Sequence, residues 1–168
     1  MKKVYMIALI LLVAILTGCT SSKATPENVA MPDNFGFILK YGYGPKKNEL
    51  NTMEGTFTKD LVIIDPVTTD LRLTTDEMKN IYEEMVKLDI LSYPDEFFPE
   101  SNMKVTPYRT YEFDVRFGNS TKKILWKDES LSESRKAVQL RSLFKKIINT
   151  IENKEEFKRL PEAQGGYA

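Results

Sequence analysis

Side chains that alternate apolar and polar at every second position can be buried on one side only if the backbone is extended, and two stretches of this chain alternate in that way. In the first, Phe35, Phe37, Leu39, Tyr41 and Tyr43 share a side, with Gly36, Lys40 and Gly42 opposite. In the second, Tyr111, Phe113, Val115 and Phe117 alternate with Thr110, Glu112, Asp114 and Arg116. Each stretch runs into turn residues and then into a further alternating segment. Gly44-Pro45-Lys46-Lys47-Asn48 leads to a strand expected over 51–58, with Met53, Gly55 and Phe57 on alternate positions. Gly118-Asn119-Ser120 leads to a return strand over 121–127, with Ile124 and Trp126 on one side. The chain therefore predicts two β-hairpins, each with one apolar and one wet face. Leu61-Val62-Ile63-Ile64, closed by Asp65-Pro66, reads equally as a strand extension or a buried crossing segment, because periodicity does not choose between them.

Between and after the hairpins the apolar spacing changes to three and four. Thr74 followed by Glu77 is the grammar of a capping box, with Leu73 and Met78 as a hydrophobic staple. Met78, Ile81, Tyr82, Met85 and Leu88 give that helix one buried face, and Ser92-Tyr93-Pro94 is expected to end it. Ala137, Leu140, Phe144, Ile147, Ile148 and Ile151 mark a longer amphipathic helix starting near Ser132. Asn153 and Glu156 are placed to cap a last turn holding Phe157 and Leu160 before Pro161. The stretch from Asp95 to Pro107 is the longest irregular segment and is expected to be a connection rather than a lid. One-sided hairpins need cover and one-sided helices need a surface, so the expected fold class is α+β: an antiparallel sheet of two β-hairpins covered by two amphipathic helices, in the order ββα-ββα. Whether both hairpins join one sheet stays open.

Ahead of this domain stand Lys2 and Lys3, an apolar run from Val4 to Leu16, and then Leu16-Thr17-Gly18-Cys19. A membrane span takes ~20 apolar residues, so the run is too short to cross a bilayer. Its layout is that of an export signal. The last four residues resemble the lipobox of bacterial lipoproteins. The resemblance implies cleavage between Gly18 and Cys19, a diacylglyceryl group with palmitate-type chains on the Cys19 sulfur, and Cys19 as the mature N-terminus on the extracytoplasmic side of the cell membrane. At ~0.8 kcal/mol per buried methylene, one acyl chain holds a protein marginally and two hold it stably. The expected plan is a lipoprotein signal peptide over 1–18, a lipidated N-terminus and flexible tether over 19–34, a single α+β domain over 35–160 and a C-terminal tail over 161–168. The Ser, Thr, Lys, Pro, Glu and Asn content of residues 20–34 supports the tether.

Composition removes whole classes of chemistry. The chain contains no histidine, so Ser-His-Asp triads, Cys-His pairs and most zinc sites are excluded together. Its one cysteine is Cys19, and once that thiol is lipidated no disulfide can form within the chain. Lys plus Arg equals Asp plus Glu, at 24 each, and this balance argues against a nucleic-acid partner held by phosphate neutralisation. About 150 residues remain after processing, enough for one core without staples.

Weak motifs remain. Ser120-Thr121-Lys122-Lys123 and Ser142-Leu143-Phe144-Lys145 match the S-x-x-K spacing of penicillin-recognising serine enzymes, but neither partner motif is present and both read as surface residues. Leu160-Pro161-Glu162-Ala163-Gln164-Gly165 has glutamine where a sortase signal needs glycine. Glu83 with Glu84, Glu155 with Glu156, or Asp65 with Asp70 would be the pairs for acid/base work or calcium, yet they read as solvated faces. Gly42-Tyr43-Gly44 lacks the third glycine and the following helix of a phosphate cradle. No catalytic residue, cofactor or metal is expected. Tyr41, Tyr43, Tyr108 and Trp126, with Tyr93 and Tyr111 nearby in type, are the candidates for stacking on a glycan or peptide, against the alternative that strand-period aromatics form the core.

The run Phe35-Gly36-Phe37-Ile38-Leu39-Lys40-Tyr41-Gly42 to Gly55-Thr56-Phe57-Thr58-Lys59-Asp60, with the end Leu160-Pro161-Glu162 to Gly165-Gly166-Tyr167-Ala168, resembles small uncharacterised lipoproteins of Bacillus-type bacteria. That resemblance implies an envelope location and carries no mechanism. The expectation is a lipid-anchored, non-enzymatic binding domain whose partner is an envelope protein or glycan. The alternatives are a carboxylate-based envelope hydrolase, and an immunity-like inhibitor or spacer.

Overall fold

The computed structural model describes residues 30–167; the signal segment, Cys19 and the tether as far as residue 29 lie outside the described residues. Alternation becomes strand where it was strongest. β1 (Gly36–Gly42) buries Phe37, Leu39 and Tyr41, and β6 (Thr110–Phe117) buries Tyr111, Phe113 and Val115 on the same side. The two run antiparallel in the middle of the sheet, Leu39 opposite Phe113 and Tyr41 opposite Tyr111. β7 (Ser120–Lys127) returns from β6 with Ile124 and Trp126 buried. Their tight turn places Gly118 at φ 56°, a left-handed conformation that glycine adopts without a Cβ penalty.

Both hairpins belong to one sheet, and it is larger than the hairpins predict. Seven strands lie in the order β4-β3-β2-β1-β6-β7-β5, with β2 at Asn48–Asn51, β3 at Thr56–Lys59, β4 at Val67–Asp70 and β5 at Glu96–Phe97. The element order is thus four strands, a helix, three strands and two helices, in place of ββα-ββα. The strand expected over 51–58 breaks because Asn51 turns the chain: its Oδ1 accepts from the amides of Met53 and Glu54 at 3.1 and 3.2 Å. Such Asx chemistry competes with the ladder, and Gly55 at φ 72° completes the reversal. β4 carries Val-Thr-Thr-Asp and stays half exposed at a sheet edge, so it has no apolar alternation to read. β5 pairs in parallel with β7 inside the loop from Asp95 to Pro107, burying Phe97 and leaving Phe98 exposed. In the ambiguous run 61–64, Leu61 is buried while Ile63 and Ile64 are exposed; Val62 bridges in parallel to Gln164 at φ 66°.

α1 (Thr75–Lys87) starts as its capping box requires. Thr74 Oγ1 accepts from the Glu77 amide at 3.2 Å, and Glu77 Oε2 accepts from the Thr74 amide at 2.7 Å. It stops at a Leu88 C-cap, earlier than Pro94, and Asp89 at φ 49° opens a separate 3₁₀ turn over Ile90–Ser92. α2 (Arg135–Glu152) starts close to Ser132, as expected, with Ser134 as the N-cap accepting from the Ala137 amide; Ser132 itself donates to the Glu100 carbonyl. α3 (Glu155–Lys158) begins after Lys154, with no side-chain cap from Asn153.

The helices and the apolar face of the sheet share one core. Its centre is Phe144 of α2, whose ring lies 4.7 Å from Tyr111, 5.3 Å from Phe113 and 6.4 Å from Trp126. Burying an aromatic of this kind stabilises the fold by about 1.5–3 kcal/mol in transfer alone. The other face of the sheet is polar, crossed by Lys40–Glu49 and Lys123–Asp114 ion pairs. Residues 30–34 are tied to the domain at one end of β1: the Tyr82 hydroxyl donates to the Ala30 carbonyl, Asn34 Nδ2 to that of Gly118, and Arg116 Nε to that of Asn34. The end of the chain is laid down too, with the Tyr167 hydroxyl donating to Asp60 Oδ2 at 2.9 Å. Among the described residues no helix is long and apolar enough to cross a membrane.

Candidate functional site

The register of the central strands gathers residues that are far apart in the chain. Gly42, the last residue of β1, pairs with Thr110, the first of β6, and Thr110 pairs with Lys127, the last of β7. Tyr43, Tyr108, Arg109 and Asp128 therefore emerge together at one end of the sheet, and the Asp128 amide donates to the Arg109 carbonyl at 2.9 Å. The C-terminal half of α2 passes beside that end. Between them lies a cleft of about 420 Å³, within the range of small-ligand sites.

One wall is aromatic and cationic. The Arg109 guanidinium is half-buried and lies over the Tyr43 ring, 5.0 Å from its centroid. Burial works against its charge, but the hydroxyls of Tyr111 and Tyr43 reverse that, so Arg109 holds its proton more firmly than usual. It makes no ion pair with any carboxylate of the described residues. Tyr111 is buried behind it; burial pushes its hydroxyl up, against the opposing pull of Arg109, so it stays neutral and able to donate or accept.

The floor is an ion pair. Arg141 Nε and Nη2 donate to the two oxygens of Asp128 at 2.8 and 2.7 Å, a fork-to-fork geometry. Arg141 also covers the Trp126 ring at 5.3 Å and keeps its donors near the Ser132 carbonyl. The opposite wall comes from Lys145, Ile148, Asn149 and Glu152, the stripe of α2 that flanks its apolar face. The rim is apolar: Val105, Pro107 and Leu131. Leu131 sits at φ 44° with its side chain half exposed, a conformation that L side chains seldom adopt. Backbone and side-chain bonds pin this rim, from Val105 to Glu129, from Ser130 to Pro99 and from Ser132 to Glu100.

The four aromatic candidates separate here. Tyr43, 49% exposed, and the half-buried Tyr108 line the cleft. Tyr41 and Trp126 do not: both are buried in the core, and Trp126 reaches the site only through Arg141 on its ring. Burial, with Glu152, pushes the Tyr41 hydroxyl up while Arg109 opposes, so both charges are felt in the layer beneath the cleft. Tyr93 is buried with its hydroxyl on the Lys136 carbonyl. Arg109, Arg141 and the α2 stripe were not among the candidates. The available signal was the spacing of Arg141, Lys145, Ile148 and Glu152 along one helical face, which reads by itself as a solvated flank.

The remaining motifs stay apart. Lys122 and Lys123 of the first S-x-x-K match pair with Asp95 and Asp114. Glu84 pairs with Lys87 and Lys146, and Glu155 with Lys158, and both carboxyls are held below their ordinary range by those lysines. Asp65 and Asp70 are exposed. Among the described residues no group of three or more acidic or cysteine side chains is placed to hold a metal ion. Within the cleft Asp128 is committed to Arg141, which leaves Glu152 without a second free carboxylate beside it. No protein-family model matches the chain, and no curated protein matches it. The chemistry of the cleft has to be read from its own side chains.

Proposed function

We propose that this protein is a lipid-anchored, non-enzymatic binding domain on the extracytoplasmic side of the cell membrane, and that the cleft between Tyr43, Tyr108, Arg109 and α2 is its binding surface. The observation that carries the reading is Arg109, a half-buried guanidinium that lies over Tyr43 in a concave site and is ion-paired to no carboxylate of the described residues. Such a group is suited to recognising an anion or acceptor, while the carboxylate-pair hydrolase alternative would need two free carboxylates in the cleft, where Asp128 is held by Arg141.

Residues 30–34 are tied at the start of β1, and the cleft opens at its far end. A strand of 7 residues spans about 20 Å at its usual rise. An anchor attached through Cys19 would enter the domain at the end opposite the cleft and leave the cleft open to partners.

The test is recovery of partners from envelope extracts by full-length protein, by Cys19→Ala and by Tyr108→Ala. Wild type is expected to incorporate labelled fatty acid and Cys19→Ala is not; Tyr108→Ala is expected to keep the anchor and lose partners. Fatty acid labelling that is independent of Cys19 would remove the anchor, and partner recovery unchanged in Tyr108→Ala would remove the cleft.

A further inference from the structure

Resting on the cleft as the binding surface, we infer that its ligand is a peptide segment ending in a free α-carboxylate, with Arg109 as the carboxylate anchor and the apolar rim taking the last side chain.

Charge sets the first limit. Asp128 and Arg141 neutralise each other through two short bonds, so the charges left facing the cleft are Arg109, Lys145 and Glu152. Their sum is one positive charge. A monoanion matches it; a phosphate at neutral pH carries nearly two charges and would also meet Glu152. Guanidinium binds carboxylate in a planar fork, and Arg109 is half-buried with its guanidinium carbon over the Tyr43 ring, so part of its freedom is already spent before the fork closes.

The walls set the second limit and separate peptide from sugar. A glycan needs a bare aromatic face and a donor or acceptor for each hydroxyl. Tyr43 has one face covered by Arg109, and Val105, Pro107, Leu131 and Ile148 offer no hydrogen bonds to a buried hydroxyl. A terminal residue has the opposite needs: one carboxylate, one apolar or aromatic side chain beside it, and an amide N–H for an acceptor such as Glu152 or Asn149. The rim is also pre-set, since the bonds among Val105, Glu129, Pro99 and Ser130 hold it in place before any ligand arrives.

The experiment is calorimetric titration of full-length protein in detergent micelles. The probes are N-acetyl-Ala-Ala-Leu and N-acetyl-Ala-Ala-Phe, each as free acid and as C-terminal amide, together with N-acetyl-Ala-Glu-Ala amide, chitotetraose and inorganic phosphate. The free acids are expected to bind at least tenfold more tightly than their amides. Arg109→Gln should abolish that preference, and Arg109→Lys, which keeps the charge and loses the fork, should retain part of it. Equal binding of acid and amide would overturn the carboxylate anchor while leaving the cleft as a binding surface, provided that Tyr108→Ala weakens both. Tighter binding of the glutamate peptide, chitotetraose or phosphate would overturn the terminal-peptide assignment in favour of that chemistry. Absence of binding by every probe overturns it as well, and if Tyr108→Ala also leaves envelope partners unchanged, the cleft reading falls with it. Should Arg109→Gln fail to fold by circular dichroism, the acid–amide ratio on wild type still decides.

Discussion

Arg141 and Asp128 form a pair whose two halves should be unequally costly to remove. The Asp128 side chain is 7% exposed, and the Arg141 side chain is 31% exposed because the cleft admits water to it. Arg141→Ala deletes both donors of the fork and strands a carboxylate that water barely reaches. Breaking a buried pair from one side costs about 3–5 kcal/mol, and the partial exposure of the arginine puts this case near the lower bound, about 3 kcal/mol. Part of that loss is the packing of the guanidinium on Trp126. Asp128→Ala leaves a cation that can turn to water and still covers the indole, so about 1–2 kcal/mol is expected. The double variant should cost less than the two added together, by about 1–2 kcal/mol of coupling. Urea unfolding followed by far-UV circular dichroism and by the fluorescence of Trp126, the single tryptophan, reads all three midpoints. Arg141→Lys should recover less than half of the Arg141→Ala loss, since an ammonium cannot fork. If Asp128→Ala proves as costly as Arg141→Ala, the argument from unequal burial is wrong; additivity within about 0.5 kcal/mol would show that the two do not act as a unit.

Other perturbations probe other layers. Phe144→Ala removes the ring that touches Tyr111, Phe113 and Trp126 and is expected to cost about 3–5 kcal/mol, read as a fall in Tm of roughly 10 °C or more. Thr74→Ala breaks the capping box of α1 for about 1 kcal/mol, and Thr74→Ser should restore most of it in the same assay. Burial pushes the Glu77 carboxyl up, but the Lys154 ammonium and the Thr74 amide outweigh it and hold it below its ordinary 4.5. A depressed carboxyl contributes fully above its unfolded value and loses that contribution as pH falls through the lower folded one. Tm should therefore drop as pH falls from roughly 5 to 3, and Lys154→Met should flatten that part of the profile. Adding a Cβ at Gly44 drives it into the Tyr167 ring, so Gly44→Ala should free the terminal segment and speed its removal by carboxypeptidase, with little change in the core.

Local chemistry was enough to establish the capping box at Thr74, the inward faces of β1, β6 and β7, and the apolar stripe of α2. In each case the information sits within one element, because burial on one side imposes a period on neighbouring residues. β4 and β5 escaped that reasoning. A polar edge strand such as Val67–Asp70 is held by backbone bonds to its neighbour, and a two-residue strand has no period at all. Asn51 was invisible for a related reason: one side-chain oxygen accepting two amides outweighs the alternation of Met53, Gly55 and Phe57.

The cleft belongs wholly to the tertiary structure. Tyr43, Tyr108, Arg109, Asp128 and Arg141 carry no common spacing, and only the pairing of Gly42 with Thr110 and of Thr110 with Lys127, with α2 laid across that end, makes them neighbours. The aromatic candidates divide on the same ground: Tyr41 lies within the ladder and faces the core, while Tyr43, two residues on, has left the strand and faces solvent. A sequence records which side of its own element each residue takes; which elements meet, and in what register, is decided by long-range hydrogen bonding and packing that no short window contains.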